Sequence, residues 1–442
     1  MKVCFVTANY PPEATGGTEQ VVVALARELR AGGVQVAAIS GSDVAHAGDD
    51  SHRETFEGVD MLRVFTKPGE FGHTEFVRPR LLAAVRQWLL AQQPDVVHIH
   101  SFSGLGLGIT AVCRELELPI VVTFHDLWTT CARFFRLPMG GATCPNDTDR
   151  TPCVTCIAAT LPMPAAQIRQ SLLRRDELVA AELALANICT APSETAARAV
   201  AAALPSIGAI EVVPHGLLRP IPNEHRSGCA KDGPEQTGGT VGSGTVGSGT
   251  VGSGTGRSGT AGIGTGRSGT VRIGTFGGLV PEKGLRELVE ACVAVAAAGF
   301  ACELHLSGPW YDDEFATELR RVAGDGGLKL RVHGRYGPQD RHPARDLDLA
   351  VFPSKCQETY GLVVDEALAH GVPVVVSNFG ALAERAVTPG VVVTELDALA
   401  NVLTQLVASP GRLSALRDAI PEQLPTMSVS AQRHLQIYHS LR

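Results

Sequence analysis

Two carboxylates eight positions apart, Glu358 and Glu366, are the side chains best spaced to do chemistry in this 442-residue chain. An apolar run at 349–353 predicts a short buried strand just before them, and the periodic pattern at 362–370 predicts a helix. Glu358 therefore falls in the strand-to-helix turn, whereas Glu366 lies inside the helix. Carboxylates near a helix start also arise from capping preference, so their spacing alone does not establish a binding site.

The same turn leaves three backbone amides without helical partners. Thr359, Tyr360 and Gly361 form the predicted N-terminus of the helix, where unpaired N–H groups and the helix dipole attract anions such as a diphosphate. A carboxylate beside such a site is better suited to bind hydroxyl groups than phosphate. The amides and the carboxylates together indicate a nucleotide-sugar site.

The segment from Glu358 to Glu366 is followed by an Ala-x-Ala-x-Gly-x-Pro-Val-Val pattern at 367–375. Together they resemble the retaining glycosyltransferases of the GT-B fold, especially glycosyltransferase family 4. The resemblance implies that Glu358 contacts the donor sugar near its reacting carbon and that Glu366 binds the ribose hydroxyls of the nucleotide. It also implies transfer of a sugar from a nucleotide-diphosphate donor to an acceptor hydroxyl, for which GT-B enzymes require no metal ion or other cofactor.

Two glycine-bearing turns precede other predicted helices. Gly16 and Gly17 let the backbone approach a ligand closely, and in the resembling family such a pair faces the donor diphosphate; alone, a glycine pair is more often a simple turn. The segment 276–284 carries Lys283 where phosphate charge needs neutralising, and we expect Lys283 to stabilise the leaving group. At Gly278 the family usually has arginine, so one cationic contact is missing.

The missing arginine leaves open how the donor phosphates are neutralised. Arg272, Arg286 or Arg335 could replace it, or backbone amides could carry more of the charge. The sequence does not decide between these alternatives.

Histidines end two apolar runs of the first half. His125 follows the run 121–124, and the ends of strands are where open α/β sheets contact ligands. The resemblance makes His125 a contact to the donor sugar or the reacting groups; without it, a histidine there is more often structural. His98 and His100 are weaker candidates for acceptor contacts, and His215 stands where the family often has asparagine in a Pro-Asn-Gly motif.

Four of the eleven cysteines, Cys131, Cys144, Cys153 and Cys156, cluster in one predicted loop. Thiolates at this spacing can form a tetrahedral zinc site that holds a long loop, and a reducing cytosol favours metal over disulfides. A disulfide pair and unligated thiols remain alternatives to this structural zinc. The loop follows His125 closely, so we expect it to influence acceptor selection.

The overall pattern predicts an α/β protein. Short Val- and Ile-rich runs alternate with Ala-, Leu- and Arg-rich helical patterns, which predicts parallel sheets covered on both faces. We expect two Rossmann-like domains in the GT-B arrangement, with a ligand in the cleft at the carboxyl ends of the strands. The predicted strands are 2–7, 35–40, 61–65, 96–100, 120–124, 188–191, 211–214, 271–277, 302–307, 329–333, 349–353, 374–377 and 391–394.

Domain boundaries follow from the same alternation and from one repetitive segment. Threonine recurs at every fifth position from 240 to 275 in Thr-Val-Gly-Ser-Gly units, which cannot bury enough apolar surface to order and predict a flexible linker rather than a phosphate-binding loop. The expected division is an acceptor-side domain at 1–215 with the cysteine-bearing insertion at about 128–160, a linker at 216–270, a donor domain at 271–425 and a C-terminal helix at 426–442 that packs on the first domain.

Composition supports a cytoplasmic enzyme of two sizeable domains. The chain is 44% hydrophobic with a formal charge of -7 and a pI near 6.1, which argues against a nucleic-acid partner. Arg169, Arg174 and Arg175 could touch a membrane surface, although a solvated helix face explains them more simply. The chain begins with a strand-like run and lacks a long apolar run, so we expect neither a signal peptide nor a spanning helix.

Two other functions fit parts of the pattern. A nucleotide-sugar epimerase or hydrolase on the same fold would consume the donor without an acceptor. A noncatalytic nucleotide-sugar sensor or zinc-pinned scaffold would explain the departures at His215 and Gly278. The donor base and sugar, the acceptor, the pathway and the oligomeric state lie beyond what the residues indicate.

Overall fold

Two β-sheets, one in each half of the chain, organise the protein. The computed structural model describes residues 1–14, 16–44, 51–66, 76–134, 136–137, 144, 149–219, 269–337 and 339–442. Most of the pentapeptide repeats predicted to form a linker lie outside the described residues. The description resumes at 269 and includes only Thr270 and Thr275 of the repeated threonines. Both sheets are dominated by parallel pairing, which confirms the predicted α/β class with two Rossmann-like domains.

The first sheet has the strand order β3-β4-β2-β1-β5-β6-β7-β8. Strand β1, in the middle of this order, is apolar from Val3 to Val6, and these residues are fully buried. The strands are β1 (Lys2–Thr7), β2 (Gln35–Ser42), β3 (Ser51–Phe56), β4 (Val59–Phe65), β5 (Val96–Ile99), β6 (Ile120–Thr123), β7 (Ile188–Ala191) and β8 (Ile210–Val212).

Six helices accompany the first sheet within the described residues: α1 (Gly17–Ala31), α2 (Pro79–Gln92), α3 (Ile109–Glu115), α4 (Thr151–Ala158), α5 (Ala165–Ala184) and α6 (Glu194–Ala203). The start of α6 shows how local sequence fixes these elements, because the Ser193 side chain accepts a hydrogen bond of 3.0 Å from the Ala196 amide. Arg175, on α5, is buried and lies 4.5 Å from the ring centre of Trp128. Arg175 therefore lies in the interior and does not belong to the basic surface cluster predicted from the sequence.

The second sheet is wholly parallel, with the order β11-β10-β9-β12-β13-β14. Its strands are β9 (Val271–Phe276), β10 (Cys302–Ser307), β11 (Lys329–His333), β12 (Leu349–Phe352), β13 (Val374–Ser377) and β14 (Val391–Thr394). The helices of this half are α7 (Leu285–Ala297), α8 (Asp313–Asp325), α9 (Leu362–Ala369), α10 (Leu399–Ala408), α11 (Pro410–Asp418) and α12 (Met427–Ser440).

The last helix, α12, packs on the first domain. Leu217 and the segment before α12 exchange backbone bonds of 2.8 Å, from Leu217 N to Pro425 O and from Met427 N to Leu217 O. Met427 and Tyr438 are buried in the core that also contains β1 and α1. Strand β1 and helix α12 thus share one hydrophobic core.

One strand was missed by the sequence pattern. The segment Ser51–Phe56 is polar, yet it forms an antiparallel hairpin with β4 at the edge of the first sheet. Glu57 and Gly58 make the two-residue turn with positive φ angles of 48° and 74°. An edge strand with half-exposed side chains carries little apolar periodicity, which explains the miss.

Within the part of the chain that the structure describes, no helix combines the length and the apolar character needed to cross a membrane.

Candidate active site

The turn before α9 is held in one conformation by tight packing and an ion pair. Gly361 has a φ of 84°, and a Cβ there would lie 2.6 Å from Leu382, so the position requires glycine. The buried carboxylate of Asp365 accepts bonds of 3.0 and 3.1 Å from Arg385. Burial opposes the charge on Arg385, but Asp365 and Tyr360 together raise the guanidinium pKa. The Arg385 guanidinium also lies 4.6 Å from the ring centre of Tyr360.

Glu358 and Lys283 meet at this turn. The Lys283 ammonium donates to Glu358 Oε1, which also accepts a 2.9 Å bond from the Ser354 hydroxyl. Burial disfavours the Lys283 charge, but the Glu358 carboxylate and smaller effects of Cys356 and Glu282 together raise the lysine pKa. The two side chains remain 35% and 19% exposed, so a ligand can reach them. Their separation of 75 positions in sequence is closed entirely by the fold.

Gly284 explains how Lys283 reaches the end of β12. It has a φ of 71°, and a Cβ there would lie 1.9 Å from the Pro353 carbonyl oxygen. The Lys355 amide donates a 2.9 Å bond to the Glu282 carbonyl on the same loop. This close backbone approach places the lysine loop against the carboxyl end of the strand that leads to Glu358.

Glu366 lies on α9, on the same edge of the second sheet. Its carboxylate is 30% exposed and stands 3.7 Å from His342 Nε2. His342 stacks on His370 with ring centres 4.6 Å apart and meets the edge of Phe276. Burial, together with the Glu366 charge, raises the Tyr336 pKa. Glu366 therefore borders a group of rings at the carboxyl ends of β9 and β11.

The structure separates the three candidates for the missing arginine. Arg272 bonds Asp348 at 3.0 and 2.8 Å at the start of β9, at the far end of the strand from the site. Arg286 pairs with Glu318 on α8. Arg335 follows the carboxyl end of β11, is exposed, and has no ion pair among the described residues. Of the three, Arg335 is therefore the one that lies exposed at the carboxyl ends of the strands.

The starts of α1 and α9 face each other across the two domains. A Cβ on Gly17 would lie 3.4 Å from the Leu362 side chain, and one on Gly16 would lie 2.5 Å from Glu19 Oε2. Burial, with a smaller effect of the Asp126 charge, raises the Glu19 pKa. The glycine pair thus brings the first helix close to the donor-side helix that carries Glu366.

His125 joins the first domain to the Glu358 turn. The Thr359 hydroxyl donates a 2.6 Å bond to the His125 carbonyl oxygen. The His125 ring is bonded on both nitrogens, at 2.8 Å from Nε2 to His100 Nδ1 and at 3.3 Å from Nδ1 to His215 Nε2. Burial, followed by the charge of His434, lowers the His125 pKa to about 3, so the ring is neutral at physiological pH.

A cavity opens beside His125 at the carboxyl ends of β5 and β6. His100, Ser101, Asp126 and Trp128 are among its lining residues. The Asp126 carboxylate accepts a 2.8 Å bond from the Trp128 amide, and burial raises its pKa to about 6. The uncharged imidazoles of His100 and His125 in this pocket differ from the charged pair at the edge of the second domain.

The four clustered cysteines line one cavity next to this site. None of the four forms a disulfide with another described residue, and Arg133 donates a 3.3 Å bond to Cys156 Sγ. Another nitrogen of Arg133 lies 4.0 Å from Glu282, so the loop reaches the second domain. No three His, Cys, Asp or Glu side chains of the described residues are grouped as a metal site, and a structural zinc stays a prediction that zinc analysis would test.

Sequence reasoning missed several contacts of the site. Ser354 was not a candidate, although it lies one turn before Glu358, at the end of β12. His342 was also missed, because its proximity to Glu366 depends on the loop after β11. His215 was noted only as a departure from the family motif. Its position just after a strand of the first sheet is the signal that could have placed it beside His125.

Two family models match the chain in succession. Residues 15–217 match the model described as Glycosyltransferase Family 4, and residues 270–409 match the one described as Glycosyl transferases group 1. A curated relative, D-inositol 3-phosphate glycosyltransferase 1 of Catenulispora acidiphila, is 37% identical over 134 residues. The aligned stretch covers 28% of this chain and 31% of the relative, or about a third of its length.

Solved structures resemble the whole chain. HepE of Anabaena in complex with UDP has a TM-score of 0.63 at 17% identity, with 100% of both chains covered. Sucrose-phosphate synthase of Thermosynechococcus elongatus has a TM-score of 0.62 at 17% identity, covering 100% of this chain and 98% of the other. At this level of identity the likeness concerns the fold.

Proposed function

The chain belongs to the GT-B glycosyltransferases, and we propose that it moves a sugar from a nucleoside-diphosphate donor to an acceptor hydroxyl with retention of anomeric configuration. One observation carries the proposal. The ion pair of Lys283 and Glu358 lies at the turn that is bonded through Thr359 to His125 of the other domain. A cation for a leaving group, a carboxylate for hydroxyls and a helix start thus meet at the cleft.

The donor binds on the second domain. Its diphosphate lies against the amides that begin α9 and against Lys283, since both neutralise phosphate charge without a metal ion. Glu366 accepts hydrogen bonds from the ribose hydroxyls. HepE, whose fold this chain resembles, has been solved with UDP-glucose, which supports a uridine nucleotide as the first donor to examine.

Donor binding changes the partners of Lys283. In the structure its ammonium bonds Glu358, so an arriving phosphate takes over part of that contact and frees the carboxylate for sugar hydroxyls. The Ser354 bond of 2.9 Å keeps Glu358 oriented during this exchange. Lys283 then stabilises the charge that develops on the leaving phosphate, where a fixed cation lowers the barrier most.

Retention follows from attack on the face that the leaving group departs from. The bond between the anomeric carbon and the phosphate oxygen breaks, and the acceptor oxygen forms its bond to that carbon on the same side. The acceptor proton passes to the leaving phosphate oxygen, so no protein base is consumed. Glu358 and His125 hold the sugar in position.

The acceptor approaches from the first domain. The cavity beside His125 is lined by neutral imidazoles and by Asp126, whose pKa is raised to about 6 by burial. Such a pocket suits a hydroxyl-bearing group better than a phosphate. The described cysteines form no disulfide with one another, which fits the proposed reducing, cytoplasmic location.

A donor and acceptor screen tests the proposal. The purified protein is heated with each nucleoside-diphosphate sugar to find the donor that raises Tm, and that donor is incubated with sugar, polyol and lipid-alcohol acceptors. Mass spectrometry should show a glycosylated product, and NMR should show the donor's anomeric configuration retained. Donor consumption without any acceptor product would indicate an epimerase or hydrolase. Binding without turnover across the panel would indicate a noncatalytic sensor.

A further inference from the structure

Three buried imidazoles form a continuous hydrogen-bonded run at the cleft. His100, His125 and His215 follow three different strands of the first sheet, β5, β6 and β8. The bonds of the run are 2.8 Å between His100 Nδ1 and His125 Nε2, and 3.3 Å between His125 Nδ1 and His215 Nε2. Each of the three residues is less than a tenth exposed.

The order of the atoms forces the three rings to share one tautomer. A neutral imidazole donates from one nitrogen and accepts at the other. Because each bond of the run joins an Nδ1 to an Nε2, either all three rings carry the proton on Nδ1 or all three carry it on Nε2. The pKa values of His100 and His215 are lowered by burial and by neighbouring imidazoles, so the neutral forms are the relevant ones.

The far end of the run selects between the two arrangements. His100 Nε2 is buried and has no hydrogen-bond partner among the described residues. A bare lone pair is tolerated there more readily than an N–H group without an acceptor, since orphaned buried donors are the rarer case in proteins. The arrangement with the proton on every Nδ1 is therefore favoured. It makes His125 a donor from Nδ1 at its longer and weaker bond.

The run is also fixed from the second domain. The Tyr360 hydroxyl accepts a 2.9 Å bond from the Gly216 amide, next to His215, and the Tyr360 and His215 rings lie 4.9 Å apart. Thr359 bonds the His125 carbonyl at 2.6 Å. The loop that carries Glu358 therefore holds two of the three histidines in place.

The geometry points to His100 and His215 as positioning residues that hold His125 in its Nδ1-protonated form, ready to donate from Nδ1 to a substrate oxygen. The 3.3 Å bond to His215 is the one that a substrate hydroxyl can replace, because it is at the long end of the range for such bonds. The departure from the family's asparagine at 215 is then a functional feature of this chain. The inference rests on the proposed function only in its kinetic part.

Substitutions that keep or remove the bonding atom test this role. Asparagine places an amide near the position of Nδ1, and glutamine places one near Nε2, so His100→Asn and His215→Gln preserve one bond each. His100→Leu and His215→Met fill the space without bonding. We expect the apolar variants to lose about 10- to 100-fold in kcat/KM, as small misplacements of a reacting group do. The amide variants should recover most of that loss.

Imidazole ¹⁵N NMR of the wild-type protein reads the tautomers directly. We expect three rings with the proton on Nδ1 in the wild type, and a mixture at His125 in each apolar variant. His305→Asn is the matched control, because His305 makes a similar bond of 3.1 Å to His333 at the edge of the second sheet. This control should leave the His125 signals and kcat/KM unchanged.

The outcomes separate this inference from the proposed function. An Nε2-protonated His125 in the wild type would overturn the inference. This spectrum is recorded on the wild-type protein, so the result does not depend on a variant that might misfold. An apolar variant with unchanged kcat/KM, or amide variants as impaired as the apolar ones, would also overturn it. Nδ1 tautomers in a protein that turns over no donor would sink the proposed function and leave the assignment of the tautomers standing.

Discussion

The two sides of the cleft use the same strand-turn-helix unit but opposite chemistry. The first domain ends its strands with neutral, buried imidazoles at His100, His125 and His215. The second domain ends its strands with the charged and partly exposed pair of Lys283 and Glu358. A fold repeated twice in one chain therefore carries two different polar surfaces, and the difference lies in residues just beyond the strand ends.

Burial accounts for this difference. On the first side, α12 covers the strand ends from behind: its Tyr438 hydroxyl bonds His98 Nδ1 at 2.6 Å, and the His434 ring lies 5.2 Å from that of His98. Enclosed imidazoles lose their charge because the charged form is poorly solvated. On the second side the ion pair keeps contact with solvent and stays charged. We therefore expect the charged side to bind phosphates and the neutral side to bind hydroxyl groups.

The largest expected effect is the loss of the charged side at Glu358. Glu358→Gln removes the carboxylate that accepts from Ser354 and Lys283, and we expect kcat to fall by about 100-fold or more, the cost of losing one well-placed polar group. Initial-rate kinetics measure this. Glu287→Gln, which breaks the 2.8 Å pair with Lys355 in the same domain, is the control and should stay near wild type. Full activity in Glu358→Gln would show that the Glu358 carboxylate has no role in the transfer reaction.

Lys283 should come second. Lys283→Met leaves the departing diphosphate with helix amides alone, and we expect kcat to fall by about 10- to 100-fold, with a smaller fall for Lys283→Arg. Steady-state kinetics with a donor whose leaving group is more acidic give a sharper measurement. The loss should shrink with that donor, because less charge then needs stabilising. An equal loss with both donors would mean that Lys283 acts in folding or binding instead.

The neutral side should make the protein sensitive to acid. Burial lowers the pKa of His98, His100, His125, His215 and His434, the third to about 3 and the last to about 4, from an ordinary value near 6.5. The unfolded chain therefore binds more protons below pH 6.5, and the free energy of unfolding falls as pH drops, by about 1.4 kcal/mol per histidine and pH unit.

Asp126 has the opposite effect on the pH dependence of the free energy of unfolding, through the binding of one proton. Its pKa is raised to about 6, so its stabilising contribution to the folded protein is present at low pH and is lost as pH rises through 6. The net sign still follows the five histidines. We expect Tm, measured by calorimetry, to fall steeply between pH 6.5 and pH 4.5. A flat Tm across that window would show that the imidazoles are charged or exposed in the folded protein.

Local sequence patterns predicted the charged side better than the neutral one. Glu358 and Lys283 lie in turns marked by glycines and by apolar strands directly before them, which are local signals. The hydrogen-bonded run from His100 through His125 to His215 depends on three strands meeting at one edge of the sheet, which no local window contains. The prediction that Arg175 belongs to a basic surface cluster was wrong for the same reason, because Trp128 covers Arg175 only in the folded chain.

Glu366 also lies on the charged side, but we expect it to affect donor binding and not the reaction step. It is 30% exposed and lies away from the Lys283 pair, next to His342. A contact to the nucleotide ribose is the same before and during reaction, so Glu366→Gln should raise the donor KM by about 5- to 10-fold and leave kcat close to wild type. The same change should weaken binding of the free nucleoside diphosphate, measured by calorimetry. A fall in kcat with an unchanged KM would move Glu366 into the reaction itself.

The smallest effect is expected from shortening the segment that joins the two sides. The cleft contacts from Thr359 to His125 and from Tyr360 to Gly216, together with the packing of α12 on the first domain, are made by residues outside the repeats. Deleting 240–264 leaves roughly two dozen residues between the last and first described positions of the domains, a reach of about 80 Å when extended. We therefore expect kcat/KM within about twofold of wild type, since a loop changes closure entropy only slowly with length. A large loss of activity with an unchanged Tm would mean that the repeats contribute to the site.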